Sequence, residues 1–388
     1  MSAAAEDTTA ADLVARAVEL APLLAAEAAE AERLRRPTDK VIQVLEDSGV
    51  FGLMVPRMFG GLELDLDTFV DVGLALAEAD ASLAWVATFY IEHNWMFCQF
   101  PEAFQRELFA DRSWVLAPGM ISPTGQAQAA PGGVRLSGRW KWATGVMHGD
   151  WVIVGAAPSG EIGELAFHAV PKAEVTVEDT WDVDGMCGTG SNDVVIDDVF
   201  VPDERRISIA DMVEGRGHGS RLHEGPLYHT PMIPILMLAA SLPALGQAHA
   251  AVRGFREGLA DRVRMGVVKM AERPATQIRL AEAEIQARQA ELLLRDVADD
   301  VRALRNGAAR EDRVRWAASL SHVVHQCRDL IAAVAEASGA SAHFRSHPLQ
   351  RSLRDVNTLS CHVVFDRDAQ RELYGRVRLG FEPSIGIF

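Results

Sequence analysis

The chain changes its hydrophobic period twice, and that alternation restricts the fold more than any single motif. Residues 11–36 are rich in Ala, Leu and Glu, with apolar residues at helical spacing. Pro37-Thr-Asp offers a stop and a restart, and Val41, Leu45 and Val50 carry a second apolar face. Gly60-Gly61 marks a sharp turn, residues 69–97 return to helical spacing, and Pro101 opens a short helix. From Trp114 the pattern changes. Pro118, Gly119, Pro123, Gly125, Pro131, Gly132 and Gly133 punctuate the chain, and strand-like runs cover 134–136, 151–154, 165–170, 174–177 and 194–196. That spacing predicts an all-β module of roughly eighty to a hundred residues. Residues 215–225 are rich in Gly and His and read as an exposed or mobile loop, with a lid as one reading. Beyond Pro243 the helical period returns. Ile278, Ala281, Ile285, Leu292, Val297, Val301 and Leu304 approximate one stripe, and Val314, Ala317, Val324, Cys327, Ile331 and Val334 another, as in a helical bundle.

Composition narrows the class of partner. The formal net charge of -16 repels nucleic acid and anionic membranes. Cys98, Cys187, Cys327 and Cys361 form no C-x-x-C pair, so neither a zinc site nor a disulfide framework is indicated, and a cytoplasmic location is expected. The N-terminus lacks a basic region followed by an apolar core. The most apolar stretch, 232–245, is interrupted by Pro234 and Pro243 and reads as too short to span a bilayer. His322 and His325 stand three apart without a matching carboxylate, and read as surface or interface residues, with no metal site expected.

Four local motifs follow one another along this pattern. Val55-Pro-Arg-Met-Phe-Gly-Gly forms a turn after the second helix. Leu136-Ser-Gly-Arg-Trp-Lys-Trp-Ala-Thr-Gly forms a strand. Thr189-Gly-Ser-Asn-Asp-Val-Val-Ile ends the β module, and Arg354-Asp355 lies late in the bundle. In this order they resemble the acyl-CoA dehydrogenase superfamily over nearly the whole chain. The resemblance implies an N-terminal helical domain (1–115), a central β-barrel domain (116–225) and a C-terminal four-helix bundle (226–388), assembled as a homotetramer. The departures point to one branch. The usual T-E-P-x-x-G-S-D reads Met120-Ile-Ser-Pro-Thr-Gly-Gln-Ala here, and no Glu follows Arg354-Asp355 until Glu372. His362 occupies that neighbourhood instead. This pattern is similar to the oxygenase components of two-component flavin-dependent monooxygenases.

The resemblance implies reduced FAD or FMN, delivered by a separate NAD(P)H-flavin reductase, and O₂ acting through a C4a-hydroperoxyflavin on a small aromatic substrate of phenol, indole or polyketide type. It gives Thr144 the place beside the flavin N5 and Trp142 a stacking role, with Met120 and Ser122 on the neighbouring strand. His362 becomes the acid/base, because an imidazole exchanges protons near neutrality. His93, beside Tyr90, Trp95 and Phe97, becomes a wall of the substrate cavity. Arg262, Arg264, Arg273, Gly339, Ala340 and Arg354 become contacts to the nucleotide end of the flavin. Gly188-Thr-Gly-Ser reads as a flexible turn that brings backbone N–H groups to a ring or phosphate. Gly185-x-x-Gly-x-Gly has the wrong spacing for a dinucleotide fingerprint and leads into a strand, so no NAD(P)H site is expected on this chain. The competing readings are an acyl-CoA dehydrogenase with a relocated base, Glu257, an amino-sugar N-oxygenase, and a cofactor-free helical scaffold.

Overall fold

The structure is a computed structural model that describes residues 8–159, 164–259, 263–264 and 268–382. The first helices are α1 (Ala10–Leu34), α2 (Asp39–Ser48), α3 (Leu66–Ala77), α4 (Ala81–Phe97) and α5 (Glu102–Leu108). Thr9 and Thr38 cap α1 and α2. The helical run expected over 69–97 divides in two because Asp80 caps α4, accepting the Leu83 N–H at 3.1 Å. Every residue of α4 is buried.

The strands follow: β1 (Gly119–Ala130), β2 (Gly133–Ala143), β3 (Trp151–Pro158), β4 (Ala166–Pro171), β5 (Thr176–Glu178), β6 (Asn192–Pro202) and β7 (Arg206–Ser208). They form one mixed sheet in the order β5-β6-β2-β1-β3-β4-β7, with β1 and β3 parallel and the other pairs antiparallel. The sheet encloses its own apolar core of Leu136, Trp140, Val152, Val154, Val170 and Ile196, among others. Ile153, Phe167 and Ala169, on the opposite face, join the helical core. Trp140 is the keystone of the inner core. A Cβ on Gly125 would lie 2.0 Å from its ring and one on Gly138 2.8 Å away, so both positions need glycine.

The bundle contains α6 (Ile209–Val213), α7 (Gly219–Leu222), α8 (Met232–Leu259), the hairpin β8 (Val263–Arg264) and β9 (Val268–Lys269), α9 (Pro274–Leu304), α10 (Arg310–Ser338), α11 (Pro348–Leu359) and α12 (Arg367–Arg378). One core joins helices from α1 to α11.

Four expectations need correction. Pro243 does not interrupt α8, which runs for 28 residues. An interior proline removes the N–H that would bond the carbonyl four residues earlier. Here the Thr88 hydroxyl of α4 donates to that carbonyl, on Ala239, at 3.1 Å. The helix is long and apolar enough to cross a membrane, but most of it is buried among its neighbours. Residues 215–225 are not a loose loop: Gly219 packs where a Cβ would meet the Cys98 carbonyl at 2.1 Å, and buried His223 bonds Gln105 at 2.8 Å. The Gly188-Thr-Gly turn is buried against α1, with Gly190 so close that a Cβ would meet the Arg35 carbonyl at 3.0 Å. On α9, Ala283, Ala287, Ala290 and Leu294 face the core, while Ile278, Ile285 and Leu292 are exposed.

Candidate active site

Three elements meet around Thr144. At the end of β2 the pairing with β6 slips between Trp140 and Ala143. Trp142 takes a φ of 67° there. Such a bulge re-aims the side chains beside it. Trp140 goes into the sheet core, whereas Trp142 is 62% exposed, an open indole face at the rim. Thr144 turns toward α4, and its Oγ1 accepts the Trp85 Nε1–H at 3.2 Å.

The hydroxyl chain behind Thr144 has a direction. Thr189 donates to the Met186 carbonyl at 2.9 Å, so its oxygen is left to accept from Ser191 at 2.8 Å. Ser191 then accepts from Thr144 at 3.0 Å. The Thr144 proton is thereby committed to Ser191. With Trp85 donating to it, the Thr144 oxygen keeps one lone pair for a further donor. Tyr90 holds the following residue, donating to the Gly145 carbonyl at 2.6 Å.

The third element is the turn after α11. His362 packs edge-on against Trp85, with ring centroids 5.7 Å apart. Its Nδ1 accepts the Val364 N–H at 3.4 Å, which leaves the ring hydrogen on Nε2. Ser321 and His325 of α10 both donate to the Phe365 carbonyl, at 3.0 and 2.8 Å, and pin the turn. His325 is therefore a buried anchor rather than a surface residue. Burial lowers the His362 pKa to about 4, so the ring is neutral at neutral pH.

Along α4, Trp85, Phe89 and His93 recur every four residues and form one row. Ring centroids are 4.8 Å apart for Trp85–Phe89 and 5.5 Å for Phe89–His93. His93 is buried and donates from Nδ1 to the Ala117 carbonyl at 2.7 Å. A Cβ on Gly119 would lie 2.7 Å from its Nε2, so only glycine fits beneath the ring. The helix that carries the row is capped by Asp80, which pairs with Arg351 of α11 at 3.1 Å. Asp355, one turn further along α11, accepts the Met186 N–H at 2.6 Å. These contacts tie α4, α11 and the Met186–Ser191 turn together.

The remaining positions divide. Arg273 and Gly339 line one groove of about 660 Å³, with Phe255, Arg279 and Glu336. Ala340 is exposed beside it. Arg262 lies outside the described residues, and of Arg264 only the backbone is described. Arg354 does not face that groove: its guanidinium is used within the protomer, on Glu32 at 2.9 Å and on the Asp184 carbonyl at 2.6 Å. The Met120 side chain turns into the sheet core, leaving only its backbone near the surface, and Ser122 is exposed. Glu257 is exposed near the end of α8, so it lacks the buried setting a relocated base would need.

The sequence reading missed Trp85, Ser191 and Glu92. Trp85 and Phe89 were legible as the four-residue spacing that leads to His93. Glu92 was legible as the only Asp, Glu, Lys or Arg in the seventeen residues of α4. Ser191 carried no signal beyond its place in the Thr-Gly-Ser turn.

Residues 238–367 match the family described as acyl-CoA dehydrogenase, C-terminal domain. A pigment production hydroxylase of Rhodococcus sp. is 33% identical over 384 residues, covering 97% of this chain and 99% of the relative. An FADH(2)-dependent resorcinol hydroxylase, oxygenase component, of Rhizobium sp. is also 33% identical, over 96% of this chain and 95% of the relative. Among solved structures, a 3-HSA hydroxylase from Rhodococcus sp. superposes with a TM-score of 0.93 at 28% identity, covering 97% of this chain and 99% of that one. XiaF from Streptomyces sp., in complex with FADH2 and glycerol, superposes with a TM-score of 0.90 at 28% identity, covering 97% of each chain.

Proposed function

Because the chain belongs to the oxygenase components of flavin-dependent monooxygenases, on the acyl-CoA dehydrogenase fold, we propose that Thr144, Trp85 and His362 form its catalytic centre. The protein is an oxidoreductase that uses reduced flavin and O₂ to hydroxylate an aromatic molecule, with a separate reductase supplying the flavin. Bound reduced flavin supplies the electrons that activate O₂. The residues fit such a group: the Trp142 indole suits a planar ring, and the free lone pair of Thr144 suits a ring N–H. Arg273 and Gly339, across their groove, suit a phosphate-bearing tail.

The observation that carries this reading is the meeting of the Thr144 acceptor, the His362 ring and the aromatic row at one place. Thr144 holds the ring proton where it is. His362 offers a hydrogen bond from Nε2 toward the oxygen being transferred. The row of Trp85 and Phe89 stacks on the aromatic substrate, and His93 closes its inner end. The test is to reduce FAD or FMN anaerobically with the protein, then add air-saturated buffer and a panel of phenols and indoles. Hydroxylated product is expected. Hydrogen peroxide alone with every compound would reject the substrate class.

Thr144→Ala is expected to lower the ratio of product to flavin consumed by about three- to tenfold. One hydrogen bond of about 1 kcal/mol is lost, and each ~1.4 kcal/mol is a factor of ten. Thr144→Ser keeps the acceptor and should retain the ratio. Equal ratios in the alanine variant and the wild type would remove the role of the hydroxyl.

The exposed stripe of α9 supports a homotetramer. Ile278, Ile285 and Leu292 are seven residues apart, so they fall on one face. An exposed apolar row of this kind is expected to be covered by another copy. Light scattering should give four times the chain mass for the wild type, and Ile285→Asp should lower it. A monomeric wild type would reject the assembly.

A further inference from the structure

Glu92 is fully buried on α4, and neither of its carboxyl oxygens has a hydrogen-bond partner meeting ordinary geometry. One oxygen lies 3.2 Å from Nε2 of His93, which also has no such partner. A buried carboxyl is costly unless it is paired or protonated. The other His93 nitrogen donates to the Ala117 carbonyl, so Nε2 carries a lone pair within 3.2 Å of the Glu92 carboxyl, and a turn of that carboxyl is needed to align the two.

Resting on the reading of the α4 row as the substrate wall, we infer that Glu92 is a positioning residue. As a neutral acid it donates its O–H to Nε2 of His93, fixing that ring in one tautomer above Gly119. Burial raises the Glu92 pKa to about 8 and lowers that of His93 to about 4, which favours this neutral pair. Among the described residues on the neighbouring elements, the charged groups are already paired. The buried part of α8 that faces α4, from Met232 to Ala248, contains no charged residue. On α3, Asp67 and Asp71 are paired with Arg302 and Arg295. From α11, Arg351 is paired with Asp80, and Asp355 holds the Met186 N–H. Ala117 and Gly119 present only backbone.

Ionisation of Glu92 would set a carboxylate against the lone pair of Nε2. The ring would then have to rotate or take up a proton. The wild type should therefore lose coupled hydroxylation as pH rises through about 8.

The test compares Glu92→Gln and Glu92→Ala with the wild type from pH 6 to 9.5. The glutamine amide still donates to Nε2 and cannot ionise. Glu92→Gln should match the wild-type product-to-flavin ratio at neutral pH and lose the alkaline limb, whereas Glu92→Ala should lower the ratio at every pH. An alkaline limb that persists in Glu92→Gln, or a wild-type ratio in Glu92→Ala, would overturn the inference. An infrared difference spectrum between pH 6.5 and 9.5 reads the pair without turnover. A protonated-carboxyl band present in the wild type and missing in Glu92→Gln supports the neutral acid, and identical spectra reject it. If that band is present but no aromatic compound is hydroxylated, the substrate-wall reading fails and the neutral pair stands.

Discussion

Replacing His362 with alanine should lower the rate of hydroxylation by about a hundredfold or more, the scale of losing one preorganised donor to a charge-bearing oxygen. Consumption of reduced flavin and O₂ should continue, with hydrogen peroxide as the product. The fold should survive, because the turn stays pinned from α10 through the Phe365 carbonyl when the imidazole's contact to the Val364 N–H is lost. The geometry distinguishes two roles for the ring. A proton acceptor would need a free lone pair, but Nδ1 is taken by the Val364 N–H and Nε2 carries the hydrogen. Burial holds the ring neutral down to about pH 4. The role we propose for it is therefore that of a hydrogen-bond donor, and its state does not change between pH 5 and 8. His362→Gln places an amide donor near the position of Nε2 and should recover part of the lost rate. A glutamine variant as inactive as the alanine variant would argue for proton transfer instead. An unchanged product ratio in His362→Ala would remove the residue from the mechanism.

Arg351→Ala should destabilise the protein by about 3–5 kcal/mol, the cost of removing one partner from a buried ion pair. Asp80 and Asp355 are both buried, and Arg351 is the cation on Asp80. Burial raises both carboxyls, and the neighbouring Asp80 adds to the rise of Asp355, to about 7. An unfolded Asp titrates near ~3.9. The folded protein thus binds more protons between those values, and this contribution to stability is full below ~4 and is lost as pH rises to about 7. The loss in Arg351→Ala should accordingly be smaller at pH 5 than at pH 7.5, as measured by urea unfolding. Asp355→Asn keeps the acceptor for Met186 and should flatten the pH dependence in that window. Equal losses for Arg351→Ala at both pH values would reject the electrostatic origin.

The order of helices, sheet and bundle was legible in the sequence because period and punctuation are local. β1 was legible only through the resemblance and not from its own pattern, because Pro123 and Gly125 read as turn residues. In the structure the pairing of β1 with β3 slips between Met120 and Gly125, and Gly125 is required beneath Trp140. Pro243 misled in the same way, since the group that compensates for it is Thr88, 155 residues earlier in the chain. Thr144 and His362 were proposed through motif position, and the structure adds that both meet Trp85, as spacing alone could not show. Arg354 was given to the flavin because its segment matches the one that approaches the nucleotide end in the resembling family, yet Glu32 and the Asp184 carbonyl occupy it. A single sequence names the donor but not which of several distant acceptors reaches it first.

The complete burial of α4 governs how this protein can diverge. A helix with a solvent face can change its recognition residues while its packing residues stay fixed. Here Trp85, Phe89, Glu92 and His93 are all core residues, and in the site we propose they are recognition residues as well. Any step toward a new aromatic substrate along this helix is also a core substitution, commonly worth 1–3 kcal/mol. Substrate range and thermal stability are therefore drawn from one reserve, and variants with a broadened range should emerge first from backgrounds stabilised elsewhere.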